Sequence, residues 1–221
     1  MNRDDMGIGG LPETLPVFPL SGALLLPHGH LPLNIFEPRY LNMIDDSLGR
    51  GRFFGLVRPT QSHIDPVAEQ TALFPIGCLG RIVSFDETPD GRYMIALRGI
   101  CRFRISHERA PENGYRSCRV DYSEFADDLR QDGSHIEGRD RLLAAVRRYL
   151  ELAEIDVDWD VLHDTADETL VTSLAMICAF EPGEQQALLE SPDLQSRSKL
   201  LASLMDMAQL GNGPEPGTTR H

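Results

Sequence analysis

Two histidines separated by one glycine, His28 and His30, are the residues whose types and spacing most suggest metal chemistry. Side chains at i and i+2 of a β-strand share a face, so both imidazoles could contact one ion. A zinc site needs three or four protein ligands, and no other His, Cys or Asp lies at a recognisable spacing from this pair. Pro27 and Gly29 favour a turn. We therefore expect a turn here, with no bound metal and no other cofactor.

The four cysteines, Cys78, Cys101, Cys118 and Cys178, are the possible thiol nucleophiles. They form no CxxC pair, which argues against a zinc ribbon or a redox motif. A hydrolase that uses His28, or the thiol of Cys78 or Cys118, is the alternative function that we consider. No GxSxG, HExxH or glycine-rich phosphate loop accompanies these residues. Their apolar surroundings instead favour buried, inert thiols in a reducing compartment.

Lys199 is the only lysine in the chain, which excludes several enzyme classes. A Walker A loop needs glycines before its lysine, and the residues before Lys199, SPDLQSRS, contain none. Schiff-base and Ser–Lys chemistry could use only this residue, which lies in an amphipathic helical stretch. We therefore expect neither an ATPase nor a Ser–Lys protease in these 221 residues.

Three acidic residues around Trp159, at positions Asp156, Asp158 and Asp160, resemble a calcium loop superficially. The glycine and the distal glutamate of an EF-hand are missing. We expect these carboxylates to cap and solvate a loop, with Trp159 packed on the neighbouring helices.

The charge of the chain is strongly negative, with a formal net value of −13. Residues 1–125 carry 13 basic and 15 acidic residues, and residues 126–221 carry 8 basic and 19 acidic residues. Nucleic-acid binding normally requires a basic surface, so we expect basic or neutral partners and no nucleic acid. No apolar run approaches the roughly 20 residues of a membrane span, and no signal peptide is recognisable. We expect a cytoplasmic protein that does not bind membranes.

The first half of the chain has the pattern of a β-rich unit. The apolar run 53–57 predicts a buried strand, and Pro-Asp-Gly at residues 89–91 predicts a hairpin turn between strands. Residues 102–105 and 115–122 alternate polar and apolar, as half-buried strands do. The exception is Pro38 to Leu48, whose helical spacing predicts one helix inside the β unit.

The second half has a helical period of apolar residues. Ser134–Glu137 and Thr165–Glu168 match the capping-box pattern, and two further helices are predicted from Pro182 and from the Ser191-Pro192-Asp193 sequence. About four helices are expected. The predicted organisation is a disordered N-terminus at 1–10, a β subdomain at 11–125, a linker at 126–136, a helical subdomain at 137–208 and a disordered tail at 209–221.

The β region contains an ordered set of short motifs: Leu15-Pro16-Val17-Phe18-Pro19-Leu20, Leu26-Pro27-His28, Leu31-Pro32-Leu33, Glu37-Pro38-Arg39-Tyr40, Phe74-Pro75-Ile76-Gly77, Pro89-Asp90-Gly91 and residues 99–105. In their order and spacing these motifs resemble the N-terminal substrate-recognition domain of the Lon protease family. The resemblance covers roughly residues 11–208. It implies an α+β fold, namely a PUA-like β pseudo-barrel with one internal helix, followed by a C-terminal α-helical bundle.

The function that this resemblance implies is non-enzymatic recognition of unfolded or exposed polypeptide segments, in a stand-alone member without the family's ATPase and protease domains. The resemblance also implies an adaptor role in protein quality control, with an ATP-dependent protease or a chaperone as partner. We expect a monomer or a weak homodimer. Glu37 and Arg39 are expected to form an ion pair at the start of the helix. The predicted polypeptide-binding residues are Leu24, Leu25, Leu26, Glu37, Arg39 and Tyr40.

Overall fold

The structure is a computed structural model that describes residues 7–61, 70–111, 113–130 and 135–210. Its contacts divide the chain into two compact units, Met1–Gln131 and Asp132–His221, and this division falls inside the predicted linker. Residues 1–6 and 211–221, which belong to the segments predicted to be disordered, lie outside the described residues. Ile8–Gly10, also predicted to be disordered, form a short 3-10 helix.

Six strands form one mixed sheet in the first unit. They are β1 (Thr14–Pro19), β2 (His30–Ile35), β3 (Phe53–Val57), β4 (Ile76–Glu87), β5 (Tyr93–Glu108) and β6 (Arg116–Asp121). Their order is β2-β5-β4-β3-β1-β6, with β1 and β3 parallel. The second half of β5 also pairs with β6, so β5, β4, β3, β1 and β6 form a closed ring. Such a ring is what a β pseudo-barrel requires.

Apolar side chains that alternate along these strands fill the interior of the ring. Phe103 on β5 and Phe54 on β3 are fully buried, together with Leu15, Leu79 and Leu97. Strand β4 changes character along its length: Ile76–Gly80 is buried, whereas Val83–Glu87 is exposed. The first half of β4 therefore belongs to the core, and the second half forms a hairpin arm with β5.

The predicted helix and hairpin of the β region are confirmed. Helix α1 (Pro38–Gly49) follows β2 and buries Tyr40, Met43 and Ile44. Pro38 occupies its first turn, where a missing N–H costs nothing. At the hairpin, the Thr88 N–H donates to the Arg92 carbonyl (2.8 Å), and Gly91 adopts φ +79°.

A 3-10 helix, Ser123–Leu129, closes the first unit and covers the start of the predicted linker. Its Asp128 accepts hydrogen bonds from Nε and Nη2 of Arg102 (2.8 and 2.7 Å) and from the Arg102 backbone N–H (2.9 Å). Both side chains are buried. The guanidinium also lies over the Phe125 ring at 4.8 Å, so this segment is fixed to β5.

The second unit contains five helices among its described residues. They are α2 (Arg139–Leu152), α3 (Trp159–Asp164), α4 (Asp167–Ile177), α5 (Pro182–Glu190) and α6 (Leu194–Leu210). Helix α3 occupies the stretch that we predicted to be a loop around Trp159. Asp158 caps this helix, as expected of its carboxylate, by accepting from the N–H groups of Asp160 and Val161. Trp159 packs against the guanidinium of Arg147, 4.5 Å from the ring centre.

The predicted capping box at Thr165–Glu168 is wrong, and Ser134 of the other predicted box lies outside the described residues. Helix α2 begins after Gly138, which has φ +81°, and α4 begins after Ala166 without a side-chain cap. The Asp167 carboxylate instead accepts from the Ile136 N–H (2.9 Å) and from Arg139. The reciprocal box lies at α5, between Glu181 and Glu184. Ser, Thr, Asp and Asn are the preferred N-cap residues, so a glutamate N-cap is not part of the usual sequence pattern.

The α+β fold class is confirmed, with a mixed sheet in the first unit and helices in the second. None of the helices in the described part of the chain is long and apolar enough to cross a membrane.

Candidate functional site

A pocket of about 120 Å³ opens in the first unit, where the ends of β1 and β2 meet the start of α1. Apolar and aromatic side chains dominate its lining. The lining residues are Phe18, Pro19, Leu20, Ser21, Asn34, Ile35, Phe36, Glu37 and Tyr40. A concave apolar site with a few polar groups is the usual form of a binding site.

The floor of the pocket is held by packing between β1 and α1. The rings of Phe18 and Tyr40 have centroids 4.3 Å apart, and Phe18 also packs against Phe54 at 6.3 Å. The Leu20 N–H donates to the Val57 carbonyl (2.9 Å), which ties the end of β1 to β3. The floor is therefore part of the core, and its shape is set before any ligand binds.

The polar residues of the pocket lining are Ser21, Asn34 and Glu37, and Glu37 is paired with Arg39. The Arg39 guanidinium donates to Glu37 Oε2 through Nε (3.0 Å) and Nη2 (2.8 Å), so the predicted ion pair is present. The same guanidinium lies 4.5 Å from the ring centre of Tyr40. Glu37 precedes α1 without capping it through its side chain. Both charged groups are partly exposed, which keeps their charges in contact with solvent.

Arg58 supports the wall of the pocket from the interior. It is buried, and burial lowers the pKa of its guanidinium to about 10. Its Nη1 and Nη2 donate to the carbonyls of Ser21 (2.7 Å) and Ala23 (3.1 Å). These bonds hold the segment after β1 in place, and Ser21 lies in the pocket wall.

The six residues predicted to bind polypeptide occupy different environments. Leu24, Leu25 and Leu26 are at most 3% exposed and belong to the core. Tyr40 is buried as well, but it contributes to the pocket lining together with Glu37. Arg39 is paired with Glu37, a residue of the lining. Residues 24–26 have no regular secondary structure, yet their three side chains are buried and do not form an exposed loop surface.

Phe36 is the site residue that the sequence analysis missed. It follows Ile35, the buried residue that ends β2, and is itself 63% exposed. In β2 the exposed positions His30, Pro32 and Asn34 alternate with less exposed ones, and continuing that alternation past the strand places residue 36 outward. Single exposed apolar residues are common on folded proteins, so the sequence carries no signal that distinguishes Phe36 from a core residue.

His28 and His30 do not converge on a common ligand. His28 lies in the predicted turn with φ +63°, outside the strand, while His30 begins β2 and is exposed. Their side chains therefore do not share a strand face. Within the described residues, no group of three or more His, Cys, Asp or Glu side chains is placed to hold a metal ion.

The thiols are buried, and their pKa values are raised. All four cysteines are free and buried. Burial raises the pKa of Cys78 well above its usual value, of Cys101 to about 12, of Cys118 to about 11 and of Cys178 to about 12. The thiolate is the nucleophile, and so little of it exists near neutral pH that nucleophilic catalysis by Cys78 or Cys118 is disfavoured.

The fold and the pocket are typical of an α+β binding domain. The chain belongs to the family of the ATP-dependent protease La (LON) substrate-binding domain, whose family model matches residues 14–207. The predicted resemblance to the Lon N-terminal domain is thereby confirmed.

Known proteins similar to this chain agree with that family. Lon protease 2 of Myxococcus xanthus is 27% identical over 214 residues, which cover 93% of this chain and 24% of the relative. This chain thus spans about a quarter of the length of that relative. A Lon N-terminal domain protein from Xanthomonas campestris has a crystal structure with TM-score 0.61 and 28% identity, covering 86% of this chain and 97% of that one. The N-terminal domain of the Mycobacterium avium complex Lon protease shares the fold (TM-score 0.55, 16% identity, 87% and 98% covered).

Proposed function

We propose that this chain recognises exposed or unfolded segments of other polypeptides by binding one of their apolar side chains in the pocket. The observation that supports this most directly is the position of Phe36, largely exposed beside an apolar pocket in a member of a substrate-binding family. Single exposed apolar residues are common on protein surfaces, but an aromatic side chain at the mouth of a pocket offers a contact to a ligand.

The size of the pocket fits one side chain. An apolar cavity of about 150 Å³ accepts a benzene molecule. The pocket here is about 120 Å³, so an aliphatic or small aromatic side chain fills it. Burying a side chain of this size stabilises a complex by about 1.5–3 kcal/mol, which suits weak, repeated capture of exposed segments.

The charge of the chain selects among such segments. The formal net charge of −13 repels acidic polypeptides over the distance that salt screening permits. Neutral and basic segments are therefore the proposed ligands.

The biological setting is proposed from the relatives. The Myxococcus relative is a protease, so an ATP-dependent protease or a chaperone is the partner that we propose, with this chain as an adaptor in protein quality control. The buried, free thiols suit the reducing cytoplasm. We propose a monomer or weak homodimer that binds without catalysis of its own. The hydrolase alternative gains no support from thiols whose pKa values are raised.

Binding of an unfolded protein tests the proposal. Reduced, carbamidomethylated lysozyme is an unfolded basic probe, and native lysozyme is a folded control of nearly equal charge. In fluorescence anisotropy, the unfolded form is expected to bind more tightly. Phe36→Ala should weaken this binding by about 5- to 30-fold, because 1–2 kcal/mol of apolar contact is lost.

The matched control is Ile177→Ala, which removes a residue 80% exposed in the helical unit and should leave the affinity unchanged. Both variants alter exposed side chains, so both should fold. The proposal fails if native and unfolded lysozyme bind equally, or if Phe36→Ala binds as the wild type does.

A further inference from the structure

The hairpin arm of the first unit has an open sheet edge at Ser84–Glu87. Strand β3 pairs with β4 only as far as Arg81, and Ser84–Glu87 pairs with β5 on its other side. In the described part of the chain, no strand pairs with the outer side of Ser84–Glu87. An open edge presents unpaired backbone groups to other chains.

The register shows which backbone groups point outward from this edge. The Gly99 N–H donates to the Gly29 carbonyl (2.8 Å), so Gly99 directs its backbone groups toward the β2 side of β5. Backbone direction alternates along an antiparallel strand, so Ile95 and Tyr93 also face β2. Their partners on β4, Phe85 and Glu87, consequently direct their N–H and C=O groups away from β5.

The other open edge, at β2, is blocked by a proline. Pro32 is paired with Ala96, so by the same alternation its backbone nitrogen faces away from β5. This nitrogen carries no N–H, and its ring occupies the space that an incoming carbonyl would need. Proline at such a position prevents pairing with another chain. The edge at Ser84–Glu87 contains no proline, and none of the described strands pairs along it.

The side chains along the open edge define what it can accept. Phe85 is 37% exposed and packs edge-to-face on Tyr93, with ring centroids 4.9 Å apart. Glu87 lies on the same face as Phe85, and Asp86 lies on the opposite face. Both carboxylates are exposed. Directly opposed side chains stabilise strand pairs when an apolar residue meets an apolar one and a basic residue meets an acidic one.

We propose that the Ser84–Glu87 edge is a docking site for an extended polypeptide segment in which an apolar residue adjoins two basic residues. The segment binds as an added β-strand, through the outward N–H and C=O groups of Phe85 and Glu87. Its apolar residue lies opposite Phe85, and its basic residues lie opposite Asp86 and Glu87. A second copy of this chain is a poor occupant, because its net charge of −13 opposes the same carboxylates. This site is separate from the pocket at Phe36.

Amide hydrogen exchange with a synthetic peptide tests the proposal. The probe is Ser-Thr-Lys-Lys-Phe-Thr-Ser-Gly, added to the full chain and followed by NMR. At saturation, exchange of the Phe85 and Glu87 amides is expected to slow by about tenfold or more, because they gain partners. The amides of Ser84 and Asp86, which already face β5, should change less. Equal exchange with and without peptide overturns the proposal, as does protection confined to the pocket.

Two peptides N-methylated at alternate amides provide a further test, because an added strand directs only every second amide toward the protein. Methylation of the amides that face the protein should abolish binding, and methylation of the intervening amides should preserve it. Equal binding of both peptides overturns the added-strand geometry.

Variants of the edge separate backbone pairing from charge attraction. Phe85→Pro removes an outward N–H that the β5 ladder does not use, so the fold should persist while peptide protection is lost. Asp86→Lys should weaken binding at least severalfold, and Glu151→Lys, the same charge change on an exposed position of α2, should not. Wild-type binding by a folded Phe85→Pro protein overturns the proposal. If that variant does not fold, the proposal is overturned when Asp86→Lys and Glu151→Lys bind the peptide with equal affinity.

Discussion

Gly99 is the residue at which the turn of His28 and Gly29 meets the sheet. Its carbonyl accepts from the His28 N–H (3.0 Å), and its N–H donates to the Gly29 carbonyl (2.8 Å). A Cβ atom at position 99 would lie 2.0 Å from the Leu26 carbonyl oxygen. Only glycine permits this approach, which explains why Leu26 is part of the core.

Gly99→Ala should therefore destabilise the first unit by at least about 3 kcal/mol, because the obstacle is backbone and cannot rotate away. Urea denaturation of both proteins measures the difference. Gly49→Ala is the control, since nothing lies within 4 Å of a Cβ at that position. Equal stability of the Gly99→Ala variant and the wild type would show that the backbone relaxes at this contact.

The 3-10 helix Ser123–Leu129 is the element whose role the sequence pattern concealed. Its acidic, polar composition predicts a boundary, and the division of the chain does lie nearby. Asp128 nevertheless turns inward to the Arg102 guanidinium of β5, and Phe125 is buried. A charged residue whose partner lies 26 positions away in sequence cannot be distinguished from a solvated one by composition alone.

Asp128→Asn should destabilise the first unit by about 3–5 kcal/mol, because it leaves the Arg102 guanidinium buried without its counter-charge. Glu124→Gln is a matched control in the same 3-10 helix. Glu124 pairs with Arg104 where both side chains are exposed, so its loss should change stability little. Thermal unfolding followed by circular dichroism compares the two. If Glu124→Gln lowers stability as much as Asp128→Asn does, burial of the Arg102–Asp128 pair is not the cause of the loss.

At the scale of the whole molecule, carboxyl groups with lowered pKa values in both units link stability to acid, among them Asp46 and Asp167. Hydrogen bonds from Tyr115 (2.7 Å) and Asn113 (2.8 Å) lower the pKa of Asp46 in the first unit. In the second unit, burial alone would raise the pKa of Asp167, but the Ile136 N–H and the Arg139 guanidinium outweigh it. The net pKa of Asp167 lies below its ordinary value. Both carboxylates therefore stabilise the folded chain above the ordinary aspartate pKa of about 4.

The free energy of unfolding should be nearly constant from neutral pH down to about pH 4, and then fall as the pH drops through the depressed pKa values. Asp167→Asn should be less stable than the wild type near neutral pH, and its stability should fall less steeply with acid. Urea denaturation at stepped pH measures both slopes. Asp206→Asn, at an exposed pair with Arg148, serves as the control. Parallel slopes for Asp167→Asn and the wild type would exclude Asp167 as a source of acid lability.

Local patterns in the sequence determined much of the fold of this protein. The helix from Pro38, the hairpin at Thr88–Gly91 and the last two helices all follow from turn residues and apolar periodicity, which act over a few neighbouring positions. The family resemblance was carried by motifs of the same short range. The burial of the thiols also follows, because their flanking residues are apolar.

Only the tertiary structure decided which residues form the site. Leu24–Leu26 and Phe36 are all apolar, yet the first three are buried and Phe36 is exposed at a pocket. That difference arises from the close approach at Gly99 and from the end of β2, both of which depend on residues far apart in sequence. The open edge at Ser84–Glu87 likewise depends on where β3 stops pairing with β4. Pairing between distant strands decides which apolar residues and backbone groups remain exposed, and short-range sequence patterns do not contain that information.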